Sequence, residues 1–318
     1  MIIDMRDFGV IVGCYRQDYL FAKATCSSIR HGMGDIPITL LVDGRFPINE
    51  LSQLYEVRAL YREDVRNEFL RTTCTGWGLP KMIAFWESPY EKFLYLDADT
   101  VVWGDLMTKL KRMEDVDIIT DQPACSYTES DVDKWFFQHQ RIEALLPSFD
   151  WRRHCNDYFC TGVFCATRDM FDLEEFRMLL ELARREPNLF FPGDMGLLNL
   201  MIFRAHDEGR IKLHKESLQT ICIDHEKASL ERSFPANLES ADFTSHAPTA
   251  LHYPGIKPLL RCKTHSGPMS HFRAQLLRDS GLQNPFNIHA RLQTEDLAFC
   301  HRRRVADIKS RWVKFVKK

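Results

Sequence analysis

Residues 80–106 read PKMIAFWESPYEKFLYLDADTVVWGDL. Phe93–Leu96 is an apolar run of strand length that ends directly in Asp97-Ala98-Asp99, after which Thr100-Val101-Val102 resumes a strand-like pattern. Upstream, Leu79–Trp86 has helical character, and Ser88-Pro89 stops it, because the residue before a proline is pushed out of the α region. A helix feeding a short buried strand that ends in carboxylates is the pattern of an open α/β sheet, in which ligands bind beyond the carboxyl ends of the strands. Side chains at i and i+2 of an extended segment point the same way, so Asp97 and Asp99 are expected to share one divalent cation, directly or through water. Asp115-Val116-Asp117 and Asp131-Val132-Asp133 repeat the D-x-D pattern without that strand context, and they read as solvated pairs.

The flanking sequence extends the alternation. Phe8–Cys14 is a strand-length apolar run, Tyr19–Arg30 reads as a helix, and Ile38–Val42 is a second apolar run closed by the turn signal Asp43-Gly44. Val116–Thr120 and Tyr158–Ala166 read as further strands, and Leu173–Arg184 and Asp194–Arg204 as helices. From about residue 215 the pattern turns loop-rich, with Pro at 235, 248, 254, 258 and 268, and residues 266–318 look mostly helical. The fold class expected is α/β: a mixed, mostly parallel central sheet with helices on both faces. The boundaries expected are one α/β domain over 1–260 and a mainly helical C-terminal extension over 261–318.

The 318-residue chain is 45% hydrophobic and 27% charged, which excludes a mainly disordered or collagen-like chain. No apolar run reaches the roughly 18 residues of a membrane span. The net charge of -2 conceals an asymmetry, since residues 301–318 carry +7 and the first 300 residues therefore -9. Ten cysteines without a C-x-x-C pair read as buried thiols of a reducing compartment, and the N-terminus carries no secretory pattern, so a cytoplasmic location is expected.

Residues 80–106 resemble the core motif of the family 8 glycosyltransferases, in which a Lys precedes a helix, an aromatic stands near the helix end, and a strand and D-x-D follow. Three further segments resemble family motifs in order: residues 159–164 (FCTGVF), 193–199 (GDMGLLN) and 252–258 (HYPGIKP). The resemblance implies a GT-A nucleotide-sugar transferase domain. It implies metal binding by Asp97, Asp99 and His252, with Mn2+ as the ion and Mg2+ as the alternative. It also implies donor contacts from Lys81, Asp97, Cys160, Thr161, Met195, Gly255 and Lys257, and stacking of uracil on Tyr19. The substrates implied are a UDP-sugar and a hydroxyl of a glycan or glycolipid, with retention of anomeric configuration.

The residues agree with that chemistry. A nucleoside diphosphate is a dense negative charge that a divalent cation neutralises as it leaves. An imidazole ligand favours Mn2+ over Mg2+. Gly255 permits a tight turn between His252 and Lys257, and Lys257 could close over the diphosphate as a point charge.

The chain also departs from the pattern. Met195 stands where the family has Gln, Cys160 where it has Asn, and Leu259 where it has Trp, in a lysine segment one residue shorter than usual. Met can neither donate a strong hydrogen bond nor act as a base. Asp194 is left as the carboxylate candidate at the anomeric centre, and a front-side attack assisted by the departing phosphate is the favoured route over double displacement. Arg16 or Gln17 aligns loosely with an acidic residue near the uracil of some family members. Asp121, after a strand, reads either as a sugar contact or as a loop cap.

Val305, Ile308, Trp312 and Phe315 recur on one helical face within the basic tail, the pattern of an interfacial membrane helix or of a helix packed on the body. An anionic membrane surface is therefore an expected partner, and nucleic acid is not. The rival readings are a binding protein of the same fold without turnover and a nucleotidyltransferase. The latter usually has a Gly-rich basic loop after the first strand, where this chain has GCYRQDY.

Overall fold

The computed structural model describes residues 7–76 and 78–316, with side chains in the last helix through Ala306. Ten strands occur among the described residues: β1 (Phe8–Tyr15), β2 (Ile38–Asp43), β3 (Arg58–Tyr61), β4 (Lys92–Asp97), β5 (Thr100–Trp103), β6 (Ile118–Asp121), β7 (Val163–Thr167), β8 (Leu213–Glu216), β9 (Gln219–Ile221) and β10 (Thr249–His252). Five helices reach 13 residues: α1 (Tyr19–Met33), α2 (Leu173–Arg185), α3 (Met195–Asp207), α4 (Gly267–Asp279) and α5 (Pro285–Val316).

Seven strands form the central sheet in the order β3-β2-β1-β4-β7-β6-β8. β1 is parallel to β2 and β4, whereas β7 runs antiparallel to both β4 and β6. The strand period of two sends alternate side chains to opposite faces. Ile11, Leu41, Phe93 and Tyr95 enter one core, while Val10, Val12, Leu94 and Leu96 enter another. This explains why FGVIV and FLYL are continuously apolar rather than alternating: both faces are covered.

The chain leaves the central sheet at Asp97, turns through Ala98-Asp99, and enters β5 of a three-stranded sheet ordered β5-β10-β9. Asp99 therefore stands in a turn and not in the extended continuation that its spacing suggested. β10 pairs antiparallel with β5, and the register sets His252 opposite Thr100. That pairing is what brings a residue near the end of the chain beside the D-x-D segment.

Two other expectations change. The strand expected over Tyr158–Ala166 begins only at Val163. The preceding backbone is bonded elsewhere: Phe159 donates to Asn199 Oδ1 at 3.0 Å and its carbonyl accepts from Asn199 Nδ2 at 3.0 Å. The loop-rich stretch after 215 contains β9 and β10, too short to stand out as apolar runs. All ten cysteines are free, but only five are buried, and Cys125 and Cys300 are exposed.

α4 packs against α1 and β5, and Met269, Phe272 and Phe299 share a cluster with Leu20, Phe21, Trp103 and Tyr253. The helical end thus shares a core with the body. α5 continues as helix to Val316. The apolar stripe expected in the tail lies outside the described side chains from Ile308 onward, while Val305 is exposed. No helix among the described residues is long and apolar enough to cross a membrane.

Candidate functional site

Asp97 ends β4, Asp99 follows it in the turn, and His252 ends β10, and one ligand atom from each lies within 4.8 Å of the others. His252 Nε2 stands 3.8 Å from Asp97 Oδ2 and 3.6 Å from Asp99 Oδ1. Ligand bonds of roughly 2.0–2.6 Å place donors no more than about 5 Å apart across an ion, so this donor set fits a single divalent cation. Gly162 makes room for the imidazole, since a Cβ there would lie 2.1 Å from His252 Cε1. Burial alone would lower the His252 imidazolium, but Cys160 and Asp99 outweigh it and raise it to about 10. A divalent cation at Nε2 takes the place of that proton. Burial pushes the Asp99 carboxyl up, but Lys257 and His252 outweigh it and hold the group well below the usual carboxylate range.

Below the cation position lies Lys81, on the 3-10 turn Leu79–Ile83 and only 4% exposed. Its ammonium is 3.3 Å from Asp97 Oδ1 and 3.1 Å from Asp194 Oδ2, and it donates to the Thr161 carbonyl at 3.0 Å. Burial would lower Lys81, but Asp194 and Asp97 outweigh it, so the ammonium stays charged above its ordinary range. Thr161 Oγ1 donates to Asp194 Oδ2. Asp194 Oδ1 faces Gly78, where a Cβ would come within 2.2 Å of it. Tyr95 adds a bond from its hydroxyl to Asp97 Oδ1 at 3.2 Å.

On the open side, Lys257 bonds to Asp99 Oδ2 at 3.0 Å and to Asp18 Oδ1 at 3.1 Å. Burial works against the Lys257 charge, but Asp99 and Asp18 outweigh it and raise the group. Gly255, at φ +74°, turns the segment from His252 back toward this bridge. Asp18, at the start of α1, had no signal in the sequence. A carboxylate next to a helix N-terminus is common enough to be unremarked.

The other expected residues fall around this centre. Cys160 Sγ lies 3.7 Å from His252 Nδ1, so it sits behind the imidazole. Met195 opens α3 half-buried and packs on the core. Tyr19 packs edge-on against Phe46 at 5.3 Å, with Lys23 over its ring at 5.5 Å and its hydroxyl buried without a hydrogen-bond partner. It lines a cavity of about 290 Å³ with Arg16, Lys23, Arg291 and Arg302. Asp121 is buried, and its Oδ1 accepts from the backbone N–H of Leu218 at 2.9 Å and of Gln219 at 3.0 Å. Burial pushes its carboxyl up to about 6 against the opposing pull of those two amides. In this arrangement it caps the start of β9.

Gln219 was not visible as a site residue. Its side chain joins His252 Nδ1 to the Cys160 carbonyl, through contacts of 2.9 Å and 2.7 Å. No sequence motif marks it, because both partners come from distant segments.

No known family profile matches the chain by sequence, and no curated relative does so. Solved structures match by fold. A galactosyltransferase LgtC, in complex with donor and acceptor sugar analogs, superposes with a TM-score of 0.52 at 15% identity, covering 84% of this chain and 95% of that one. The bifunctional glycosyltransferase WbbM superposes with a TM-score of 0.51 at 14% identity, covering 87% of this chain and 51% of that one. The glycosyltransferase GlyE of Streptococcus pneumoniae gives 0.51 at 15% identity, covering 91% and 63%. The chain therefore has the GT-A fold of the LgtC type.

Proposed function

We propose that this protein transfers a sugar from a UDP-sugar to a hydroxyl of a glycan or glycolipid, with Mn2+ as its metal and with retention of configuration. The observation that carries the reading is the convergence of Asp97, Asp99 and His252 within 4.8 Å, flanked by two lysines, in a GT-A fold. Bound there, the cation neutralises the diphosphate and stabilises it as a leaving group. The imidazole in the donor set supports Mn2+ over Mg2+.

The chain's own groups divide the remaining work. Lys81 neutralises buried Asp194 and half-buried Asp97 and keeps both in place. Lys257 exchanges Asp99 and Asp18 for the diphosphate once that arrives, and Gly255 is the pivot. Asp194 Oδ2 is taken by Lys81 and Thr161, so its Oδ1 is the oxygen that meets a hydroxyl of the donor sugar. A carboxylate committed to an ammonium and a hydroxyl is a weak nucleophile. That commitment supports front-side attack, in which the leaving phosphate takes the acceptor proton.

The location proposed is cytoplasmic, at the inner face of a membrane through residues 301–318. On α5, Phe286 and Leu297 are 80% and 72% exposed. They are 11 residues apart, about three helical turns, so they lie on one face. Two exposed apolar side chains on one face, ahead of a basic tail, support adsorption to an anionic surface.

UDP release from a panel of UDP-sugars, with Mn2+ and then with EDTA, is the test. Mn2+-dependent turnover with at least one donor is expected. Met195 and Cys160, in place of polar side chains, favour a second reading: a nucleotide-sugar binder without turnover. Tight UDP binding with no product across the panel would select it, and absence of both binding and turnover would end both readings.

A further inference from the structure

The hydrogen bonds behind His252 determine which of its nitrogens faces the cation. The Cys160 carbonyl can only accept, so the Gln219 atom 2.7 Å from it is the amide nitrogen. The Gln219 atom 2.9 Å from His252 Nδ1 is then the amide oxygen, which can only accept. Nδ1 must therefore carry a hydrogen, and in the neutral ring the lone pair is left on Nε2, the nitrogen that faces Asp97 and Asp99.

We propose that Gln219 is a positioning residue of the metal site, which holds His252 as the Nδ1–H tautomer and presents Nε2 to the cation. This rests on the proposed reading of Asp97, Asp99 and His252 as metal ligands.

The placement of Gln219 is over-determined. It begins β9, in register with Ala250 of β10, two residues before His252 on the neighbouring strand. Its backbone N–H is held by Asp121. The residue is 8% exposed, and both ends of its amide are engaged. The line Asp121, Gln219, His252 thus links one strand end of the central sheet to the ligand imidazole, and it gives Asp121 a role in the site without contact with a sugar. Partners of this kind typically change metal affinity 10- to 100-fold when removed. Cys160 Sγ, at 3.7 Å from Nδ1, is a weak acceptor and a poor replacement.

The test is Mn2+ binding to the full-length protein without nucleotide, read from the EPR signal of free Mn2+. Gln219→Leu, which keeps the bulk and removes the acceptor, is expected to weaken binding by about 10- to 100-fold. Gln219→Glu keeps an acceptor toward Nδ1 but loses the donor to the Cys160 carbonyl, so it is expected to bind Mn2+ more tightly than Gln219→Leu, and equal weakening in the two variants counts against the proposal. Wild-type affinity in a folded Gln219→Leu protein overturns the proposal. The wild type alone supplies a second arm if Gln219→Leu does not fold. With Zn2+ as a diamagnetic ion, nitrogen-15 NMR of the histidines is expected to show His252 protonated at Nδ1 and metallated at Nε2, and the reverse assignment overturns the proposal. His252→Ala and Asp97→Ala with Asp99→Ala separate the two levels of inference. Mn2+ binding unchanged in those variants removes the metal site itself. Binding lost there but unchanged in Gln219→Leu removes only the role of Gln219.

Discussion

Two lysines bracket the cation position, and they are held in opposite ways. Lys81 is 4% exposed and sits between Asp97, Asp194 and the Thr161 carbonyl. Lys257 is 21% exposed, on a segment turned by Gly255, and it bridges Asp18 and Asp99 from two different parts of the chain. The first resembles a structural ion pair in a core. Its charge cannot move without leaving the buried Asp194 carboxylate with no ion-pair partner. The second bridges two acids at the mouth and can trade them for a ligand of higher negative charge. On the proposed function, the first is a fixed floor and the second a replaceable clamp for the diphosphate.

The largest effect is expected from removing the acids that the two lysines share with the cation. Asp97→Asn with Asp99→Asn should lower Mn2+-dependent UDP release by roughly 10³-fold, the scale of losing a charge-stabilising centre. A double variant as active as the wild type would exclude the metal role. Next, Lys81→Met strips the ammonium from the buried Asp194 carboxylate and from half-buried Asp97, and a loss of about 3–5 kcal/mol is expected in a urea melt, most of it from Asp194. A melt within about 1 kcal/mol of the wild type, the value of a surface pair, would show that the floor is not structural.

Lys257→Met sharpens the contrast. It should cost less in the same melt than Lys81→Met, because Lys257 and Asp18 are more open to water than Lys81, while raising the KM for the donor about tenfold through lost diphosphate contact. The reverse pattern, an unstable protein with an unchanged KM, would exchange the roles of the two lysines. The effect at Asp121 is confined to a narrow range of pH. Its carboxyl titrates at about 6 in the folded protein against an ordinary value of 3.8. The folded state then binds more protons between those values, so stability falls as pH rises from about 4 to about 6, by on the order of 2–3 kcal/mol. Asp121→Asn keeps an acceptor for both backbone amides. Melts from pH 4 to 7 should show that slope removed, and an unaltered slope would assign it to other groups.

The parts of the site that were legible in the sequence are those with a local signature. FLYLDAD showed a buried strand ending in acids because a strand covered on both faces has no polar alternation to obscure it. Gly162 and Gly255 could be placed in their motifs, but only the structure shows that the first is needed for contact with the His252 ring and the second for a left-handed turn. Asp18 and Gln219 were invisible because nothing near them in the chain distinguishes them from any polar residue at a helix start or a strand start. Their partners, Lys257, His252 and Cys160, lie 239, 33 and 59 residues away. Asp121 carried two readings in the sequence, and the amides of Leu218 and Gln219 are what support the cap.

The sequence by itself determined the alternation of strand and helix, the position of the acids at a strand end, and the order of four motifs from Lys81 to Lys257. These follow from local periodicity and from residue types at short spacing. Only the tertiary structure decided that Asp99 meets Asp97 through a turn, that His252 arrives opposite Thr100 by an antiparallel pairing, and that an amide from a third strand orients its ring. The physical reason is the range of the forces involved. Propensity and patterning act over a few residues. Strand register between segments about 150 residues apart is set by burying two sheets against a common core, where Val102 and Ala250 meet Val12 and Leu96, and no single segment encodes that.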